Sequence, residues 1–241
     1  MEHEKIENKH LTTAGNYIAD FIYGANDGLI TTFAIISASA GAGISAGVVI
    51  VLGLANLFAD GFSMATSNYL GMKSRRNFEL DQKRIEEAEI IDHPEEEKRE
   101  IREIYEKKGF HGAELEKVVE IVSSNKEVWV KEMLIGELGI IPEEDIKTTP
   151  FNHAVTTFFA FAIIGFIPLA PYIFGYTGKP SFYLSAGLTA LMLFLVGGSR
   201  AKVTGGGFLK NGSQMLFFGG CAAILAYGIG FLVHQLTGIN V

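Results

Sequence analysis

Long apolar stretches flank one polar block in this chain. A helix needs about 20 predominantly apolar residues to cross the hydrocarbon core of a bilayer. Five stretches reach or approach that length, at residues 16–43, 46–72, 152–174, 181–199 and 213–235. The glycine- and serine-rich turn at 43–45 makes the first two an antiparallel hairpin. The pattern predicts an all-α integral membrane protein with five transmembrane helices.

The polar block between the second and third stretches predicts a separate helical domain. Residues 73–147 hold 35 of the 47 charged residues, whereas residues 148–241 contain four bases and no carboxylate. Helical patterns cover residues 73–92, 94–108, 113–123 and 126–138. Nothing breaks the helix at Met72, so we expect the second span to continue into the block as one long helix.

The pattern therefore divides the chain into three regions. We expect the N-terminal segment with spans one and two in residues 1–72, an inserted helical domain in 73–148, and spans three to five in 149–241. With the N-terminus in the cytoplasm, 19 of the 20 basic residues lie on the cytoplasmic side, and only Lys179 lies outside. The N-terminus and the 73–148 domain are thus predicted to be cytoplasmic.

Composition excludes several function classes. The one cysteine, Cys221, has no partner for a disulfide. The polar block carries 21 acids against 14 bases, which disfavours binding to nucleic acid. No G-x-x-x-x-G-K-[ST] loop is present for nucleotide hydrolysis. We expect no nucleotide and no other cofactor to be required.

Three aspartates fall inside the predicted spans, where an ionisable side chain is costly and marks a candidate functional site. Asp20 lies near the cytoplasmic end of span one, where a solvated helix end explains it as well as a function does. Asp27 lies among small residues in 24–28, which allow another backbone to approach closely. It either handles cations or hydrogen-bonds a neighbouring span. Asp60 is the third.

Span two carries polar and sulfur-containing residues at every fourth position. Carboxylate and amide oxygens bind divalent cations in general, whereas a thioether favours first-row transition metals over Mg²⁺ and Ca²⁺. Methionine at helical spacing is also common in packed cores. The stripe consists of Asn56, Asp60, Met64, Asn68 and Met72.

The polar block repeats a pair of glutamates three residues apart, which places both carboxylates on one helix face. Such pairs suit a cation, although charge-rich helices are usually solvated faces, and lysines and arginines lie close by. Met133 and Glu137, four residues apart, are candidates to add a sulfur and an oxygen to the same site. The pairs are Glu86 with Glu89 and Glu97 with Glu100.

These motifs resemble the vacuolar iron transporter family of divalent-metal/proton exchangers. The resemblance rests on Gly-Ala-Asn-Asp-Gly-Leu at 24–29, Phe-Ser-Met at 62–64, Glu-Met at 132–133 with Glu-Leu-Gly at 137–139, and Gly-Phe-Ile-Pro-Leu-Ala-Pro-Tyr at 165–172. The segments follow the family's order over nearly the whole chain. The match is least specific in spans four and five.

The resemblance implies a homodimer of five-span subunits with a cytoplasmic metal-binding domain, in which metal crosses at the dimer interface. By position, Asp27 and Met64 would line the translocation pathway, together with Asn56 and Asp60 of this chain. Where the plant-type pattern has a glutamate, this chain has Asn56, and a carboxylate follows one turn later at Asp60. The cytoplasmic ligands would be Glu86, Glu89, Glu97, Glu100, Met133 and Glu137.

The expected function is export of Fe²⁺, and also Mn²⁺, from the cytosol in exchange for protons. The membrane would be the cell membrane in a prokaryote and the vacuolar membrane in a eukaryote. Two other classes stay open. One is a membrane-anchored iron-storage or ferroxidase-like protein, against which the lack of Glu-x-x-His pairs argues. The other is a passive divalent-cation channel, for which carboxylates inside the membrane are less needed.

Overall fold

The computed structural model describes residues 12–141, 149–176, 178–201 and 206–238, with side chains from residue 17 onward. The described elements are helices. They are α1 (Thr12–Ala42), α2 (Ala46–Asp92), α3 (Pro94–Lys107), α4 (Gly112–Ser123), α5 (Lys126–Gly136), α6 (Pro150–Gly165), α7 (Ala170–Ile173), α8 (Lys179–Ser199) and α9 (Phe208–Thr237), with a 3₁₀ turn at Ile167–Leu169.

The described residues form two compact units, one within residues 1–69 and 148–241 and the other within 70–147. Helix α2 runs unbroken through the boundary between them. The prediction that span two continues into the polar block as a single helix is therefore confirmed. We call the first the membrane unit and the second the acidic unit.

Four helical segments are long and apolar enough to cross a membrane: α2, residues 150–173, α8 and α9. This confirms an all-helical integral membrane protein. Helix α1 has 31 residues but is not among the four. Asn26, Asp27 and several glycines and serines lower its mean hydropathy. Length and composition alone therefore support four spans, and the fifth predicted span remains a prediction.

Helix α1 packs against α6, α8 and α9, and glycines set its closest approach to α6. A Cβ atom on Gly24 would lie 2.5 Å from the carbonyl oxygen of Thr157, and one on Gly28 would lie 2.5 Å from that of Phe161. Such distances leave no room for a side chain. The expectation that small residues around Asp27 admit another backbone is confirmed.

The third predicted span, residues 152–174, is not one continuous α-helix. Helix α6 ends at Gly165, and a 3₁₀ turn precedes the short helix α7. Pro168 explains the break, because it lacks a backbone N–H and its ring clashes with the carbonyl of residue i−4. The Ser185 hydroxyl donates a 2.7 Å hydrogen bond to the Pro168 carbonyl and so links the turn to α8.

In the acidic unit, α3, α4 and α5 enclose an apolar core with the end of α2. The core is built on residues such as Ile90, Ile101, Trp129 and Met133. Pro94 occupies the first turn of α3, where its missing N–H costs nothing. The three helices begin and end within two residues of the predicted bounds.

Candidate metal-handling sites

The paired glutamates of the acidic unit meet in one cluster. Glu86 and Glu89 lie on α2, Glu97 and Glu100 lie on α3, and Glu137 follows α5. The carboxylate of Glu86 interacts electrostatically with the other four. The fold thus brings together five residues that the sequence singled out in three separate segments. We call these five residues the glutamate cluster.

Two members of the cluster are deeply buried. Glu86 is 3% exposed and Glu97 is 5% exposed. Each has one carboxylate oxygen, Oε2, without a hydrogen-bond partner among the described residues. Burial first, and then repulsion from the neighbouring glutamates, raises the pKa of both Glu86 and Glu97 to about 7. Removing a carboxylate from water among like charges favours its neutral form.

Glu137, the member of the cluster that follows α5, also has a raised pKa. Burial raises the pKa of Glu137, and repulsion from Glu100 adds to it. Glu137 and Glu100 also share a hydrogen bond. With pKa values of about 7, Glu86 and Glu97 are partly protonated near neutral pH.

Nearby bases pair with other glutamates of the acidic unit. Lys98 pairs with Glu95 at 2.9 Å and Arg99 pairs with Glu96 at 2.9 Å. Arg102 bonds Glu116 through two nitrogens, at 2.7 and 3.0 Å. These exposed pairs are what an ordinary solvated face would show. The buried position of Glu86 and Glu97 sets the cluster apart from that face.

Met133 belongs to the apolar core of the acidic unit and is fully buried there. Its packing role is evident, and its role as a sulfur ligand stays a prediction. Within the described ranges, no three carboxylate, imidazole or thiolate side chains converge closely enough to hold one ion. Metal binding by the glutamate cluster therefore also stays a prediction.

In the membrane unit, Asp27 and Asp60 approach each other from α1 and α2. Both are half-buried, and their carboxylates interact electrostatically. The hydroxyl of Thr31 donates a 2.8 Å hydrogen bond to the backbone carbonyl of Asp27. Asn56 is half-buried, and its amide nitrogen has no partner in the part of the chain that the structure describes.

Met64 lines a cavity of about 640 Å³ between α1 and α2. Asp20 and Asn68 line the same cavity, so a carboxylate, an amide and a thioether border one space. Asp20, the aspartate for which the sequence left a solvated helix end open, is half-buried here. The other lining residues are Ala19, Tyr23, Ser63 and Ser67.

A polar network extends from this cavity to α6. The amide nitrogen of Asn68 donates to Asp20 Oδ1 at 2.8 Å and to the Thr157 hydroxyl at 2.9 Å. The other oxygen of Asp20 is hydrogen-bonded to Nδ1 of His153. His153 is a site residue that the sequence pattern did not single out. The available signal was an imidazole at the start of a predicted span, which is as unusual there as a carboxylate.

The chain is similar in sequence to known proteins over nearly its whole length. The sequence profile of the VIT family matches residues 18–231. A vacuolar iron transporter of Toxoplasma gondii is 35% identical over 96% of this chain and 79% of its own length. One from Plasmodium falciparum is 34% identical, over 89% of this chain and 81% of its own. Vacuolar iron transporter 1 of Arabidopsis thaliana is 31% identical, over 94% and 90%. These matches confirm the resemblance.

Proposed function

From the premise that this chain belongs to the VIT family, we propose that it exports Fe²⁺, and also Mn²⁺, from the cytosol in exchange for protons. Family membership itself supports metal-ion transport across a membrane, and the relatives are named as transporters rather than enzymes. The choice of metals, the direction and the proton coupling are the proposal. Transport of this kind needs no nucleotide and no cofactor.

The observation that carries the proposal is the buried pair of carboxyls in the glutamate cluster. Glu86 and Glu97 repel their neighbours and have pKa values of about 7, so protons and divalent cations compete for them at neutral pH. A bound cation would relieve both the repulsion and the burial cost. In this account the cluster gathers cations from the cytosol, with Glu89, Glu100, Glu137 and Met133 completing the site.

The proposed topology has five spans: α1 is added to the four helical segments that are apolar enough to cross a membrane. A 31-residue helix is about 46 Å long, which exceeds the roughly 30 Å of hydrocarbon. Because α1 packs against α6, α8 and α9, its polar residues need not face lipid. The distribution of basic residues supports a cytoplasmic N-terminus and a cytoplasmic 73–148 domain. The membrane is vacuolar in a eukaryote and the cell membrane in a prokaryote.

The proposed pathway runs along α1 and α2, past Asp27, Asn56, Asp60 and Met64, in a homodimer. Much of α2 in the membrane unit is uncovered in the single chain: Phe58 is 65% exposed and Phe62 is 68% exposed. Ser63 and Ser67 on the same helix are also exposed. Hydroxyls and a half-buried carboxylate are unfavourable against lipid. A second copy of the chain packed on α2 would cover them, and this supports the proposed dimer.

Uptake into sealed vesicles tests the proposal against its alternatives. Purified protein would be reconstituted, and uptake of Fe²⁺, Mn²⁺, Zn²⁺ and Ca²⁺ would be measured with and without a pH gradient. The proposal expects Fe²⁺ and Mn²⁺ to enter faster when the vesicle interior is acidic. A rate of metal uptake that is the same with and without the pH gradient would indicate a passive channel. Oxygen consumption on adding Fe²⁺, without uptake, would indicate a ferroxidase-like protein.

A further inference from the structure

We infer that Asp20 and His153 form the site that carries the exchanged proton, a role that rests on the proposed proton-coupled transport. The two residues lie 133 positions apart and meet where α1 packs against α6. Neither belongs to the glutamate cluster, and neither is among Asp27, Asn56, Asp60 and Met64, although Asp20 lines the same cavity as Met64. The inference rests on hydrogen-bond geometry, burial and the neighbouring cavity.

The hydrogen bonds fix which nitrogen of His153 is free. An ionised carboxylate only accepts hydrogen bonds. Both oxygens of Asp20 are engaged, one by the Asn68 amide nitrogen and the other by His153 Nδ1. With Asp20 ionised, His153 donates from Nδ1. In its neutral form the ring then carries its lone pair on Nε2, which is the only position where a proton can be added.

That position is buried and unused. His153 is 6% exposed, and Nε2 has no hydrogen-bond partner among the residues that the structure describes. A histidine held for structure alone usually satisfies both nitrogens when it is buried. Here one nitrogen is held by a carboxylate and the other is open, which is the arrangement of a group that accepts and releases a proton.

Protonation changes the charge of the pair from −1 to zero. The proton adds to the Nε2 lone pair, and the resulting imidazolium lies beside the Asp20 carboxylate. Among the described residues of α1, the titratable groups that face His153 are Asp20 and Tyr17, whose ring centroid lies 4.7 Å from the imidazole. From α2, the neutral amide of Asn68 donates a hydrogen bond to Asp20.

The cavity couples this charge to the metal. Asp20 and Met64 line the same space of about 640 Å³. When the pair is deprotonated, its negative charge favours a cation in that cavity. When the pair is protonated, that attraction is lost. A cation entering the cavity therefore favours release of the proton, and protonation favours release of the cation, which is the reciprocal linkage an exchanger needs.

The test compares His153→Gln with wild type and with His111→Gln in vesicles that contain a pH dye. Glutamine keeps an amide donor for Asp20 but cannot be protonated. His111 is an exposed histidine of the acidic unit and serves as the matched control. Uptake of Mn²⁺ down its own gradient should persist in His153→Gln, while proton release falls to the leak of empty vesicles and the pH profile of uptake becomes flat. His111→Gln should behave as wild type.

Proton release per Mn²⁺ equal to wild type in His153→Gln would overturn the inference and leave the proposed exchange standing. A wild-type protein that moves Mn²⁺ without protons would overturn the proposed function itself. Should His153→Gln fail to fold, ¹⁵N NMR of histidine-labelled wild type replaces it. The expected result is a Nδ1–H tautomer whose Nε2 takes up a proton over the pH range of transport. An Nε2–H tautomer would contradict the assignment.

Discussion

The glutamate cluster of the acidic unit and Asp20 of the membrane unit have opposite surroundings. In the acidic unit, Glu86 and Glu97 are buried beside three further glutamates, and each keeps an oxygen without a partner in the described structure. In the membrane unit, each oxygen of Asp20 has its own polar partner, Asn68 or His153. Crowded carboxylates repel one another and favour the protonated form, whereas a carboxylate with polar partners can keep its charge where water is scarce.

The most damaging change falls in the membrane unit. Asparagine at position 27 keeps the size and hydrogen-bonding capacity of aspartate but removes the charge and the titratable proton. We expect Asp27→Asn to reduce metal uptake to the background of empty vesicles while the dimer still forms on size exclusion. Asp60→Asn should impair uptake less completely, because position 60 lies outside the plant-type pattern. Normal flux in Asp27→Asn would contradict the pathway.

The glutamate cluster should lose metal but gain stability when its buried charges are removed. In Glu86→Gln with Glu97→Gln, we expect Mn²⁺ affinity to fall about tenfold or more, which corresponds to roughly 1.4 kcal/mol. At about pH 8 the melting temperature should rise, because two repelling buried carboxylates are gone. Calorimetric titration and thermal unfolding of the full-length protein measure the two effects.

The matched control for that variant is Glu95→Gln with Glu96→Gln, on the same helix as Glu97. Both glutamates are exposed and paired with Lys98 and Arg99. Exposed ion pairs contribute about 1 kcal/mol or less each. The control should retain Mn²⁺ affinity and change little in stability. Equal loss of affinity in both variants would mean that the acidic surface, rather than the buried pair, attracts the metal.

Stability should depend on pH with a definite sign. The folded-state pKa of about 7 for Glu86 and Glu97 exceeds the ordinary value of 4.5, so folding favours the protonated form. Their contribution is fully present below about pH 4.5 and is lost as the pH rises through about 7. From about pH 6 to pH 8 we expect the metal-free protein to lose on the order of 1–3 kcal/mol, after allowance for solvent screening and coupling.

Added Mn²⁺ should reverse that loss. A ligand at 100 times its Kd stabilises the folded state by about 2.7 kcal/mol. Because protons compete with metal for the same carboxyls, the effect should be larger at about pH 8 than at pH 6. Thermal unfolding at both pH values, with and without Mn²⁺, measures it. A metal-induced shift that is independent of pH would place the bound ion elsewhere.

Backbone packing in the membrane unit should be sensitive to a single methyl group. Gly28→Ala would place a Cβ 2.5 Å from the Phe161 carbonyl oxygen, so α1 and α6 must move apart. We expect a loss of about 1–3 kcal/mol. A Cβ atom on Gly47 would have no atom within 4 Å, so Gly47→Ala should be neutral or slightly stabilising. Equal melting temperatures for the two variants would refute the close contact.

The smallest effect concerns the sulfur of Met64. Leucine preserves its volume and deletes the thioether, and such a substitution usually costs less than about 1.5 kcal/mol. We expect Met64→Leu to slow Fe²⁺ uptake measurably while the melting temperature hardly changes. Transport of a cation that does not favour sulfur, such as Mg²⁺, serves as the comparison. Parallel changes in Fe²⁺ transport and stability would assign Met64 to packing alone.

The sequence predicted the helices well but did not predict which side chains are buried or which distant residues meet. The helices of the acidic unit and the unbroken run of α2 followed from local pattern, because capping residues and breakers act over a few positions. The spacing of Glu86 with Glu89, and of Glu97 with Glu100, showed a shared helix face within each pair. It did not show that Glu86 and Glu97 are buried, because burial depends on how the helices of the acidic unit pack. The pairing of Asp20 with His153 depends on contact between α1 and α6, which no local pattern encodes.

The most direct test of the account follows Mn²⁺ and protons together in the same reconstituted vesicles. Wild-type protein is given Mn²⁺ outside and a pH dye inside, with the membrane voltage held at zero. The account predicts that each increment of Mn²⁺ uptake is accompanied by proton exit, and that an acidic interior accelerates both. Mn²⁺ uptake with no change in internal pH, at a rate indifferent to the gradient, would contradict proton-coupled exchange.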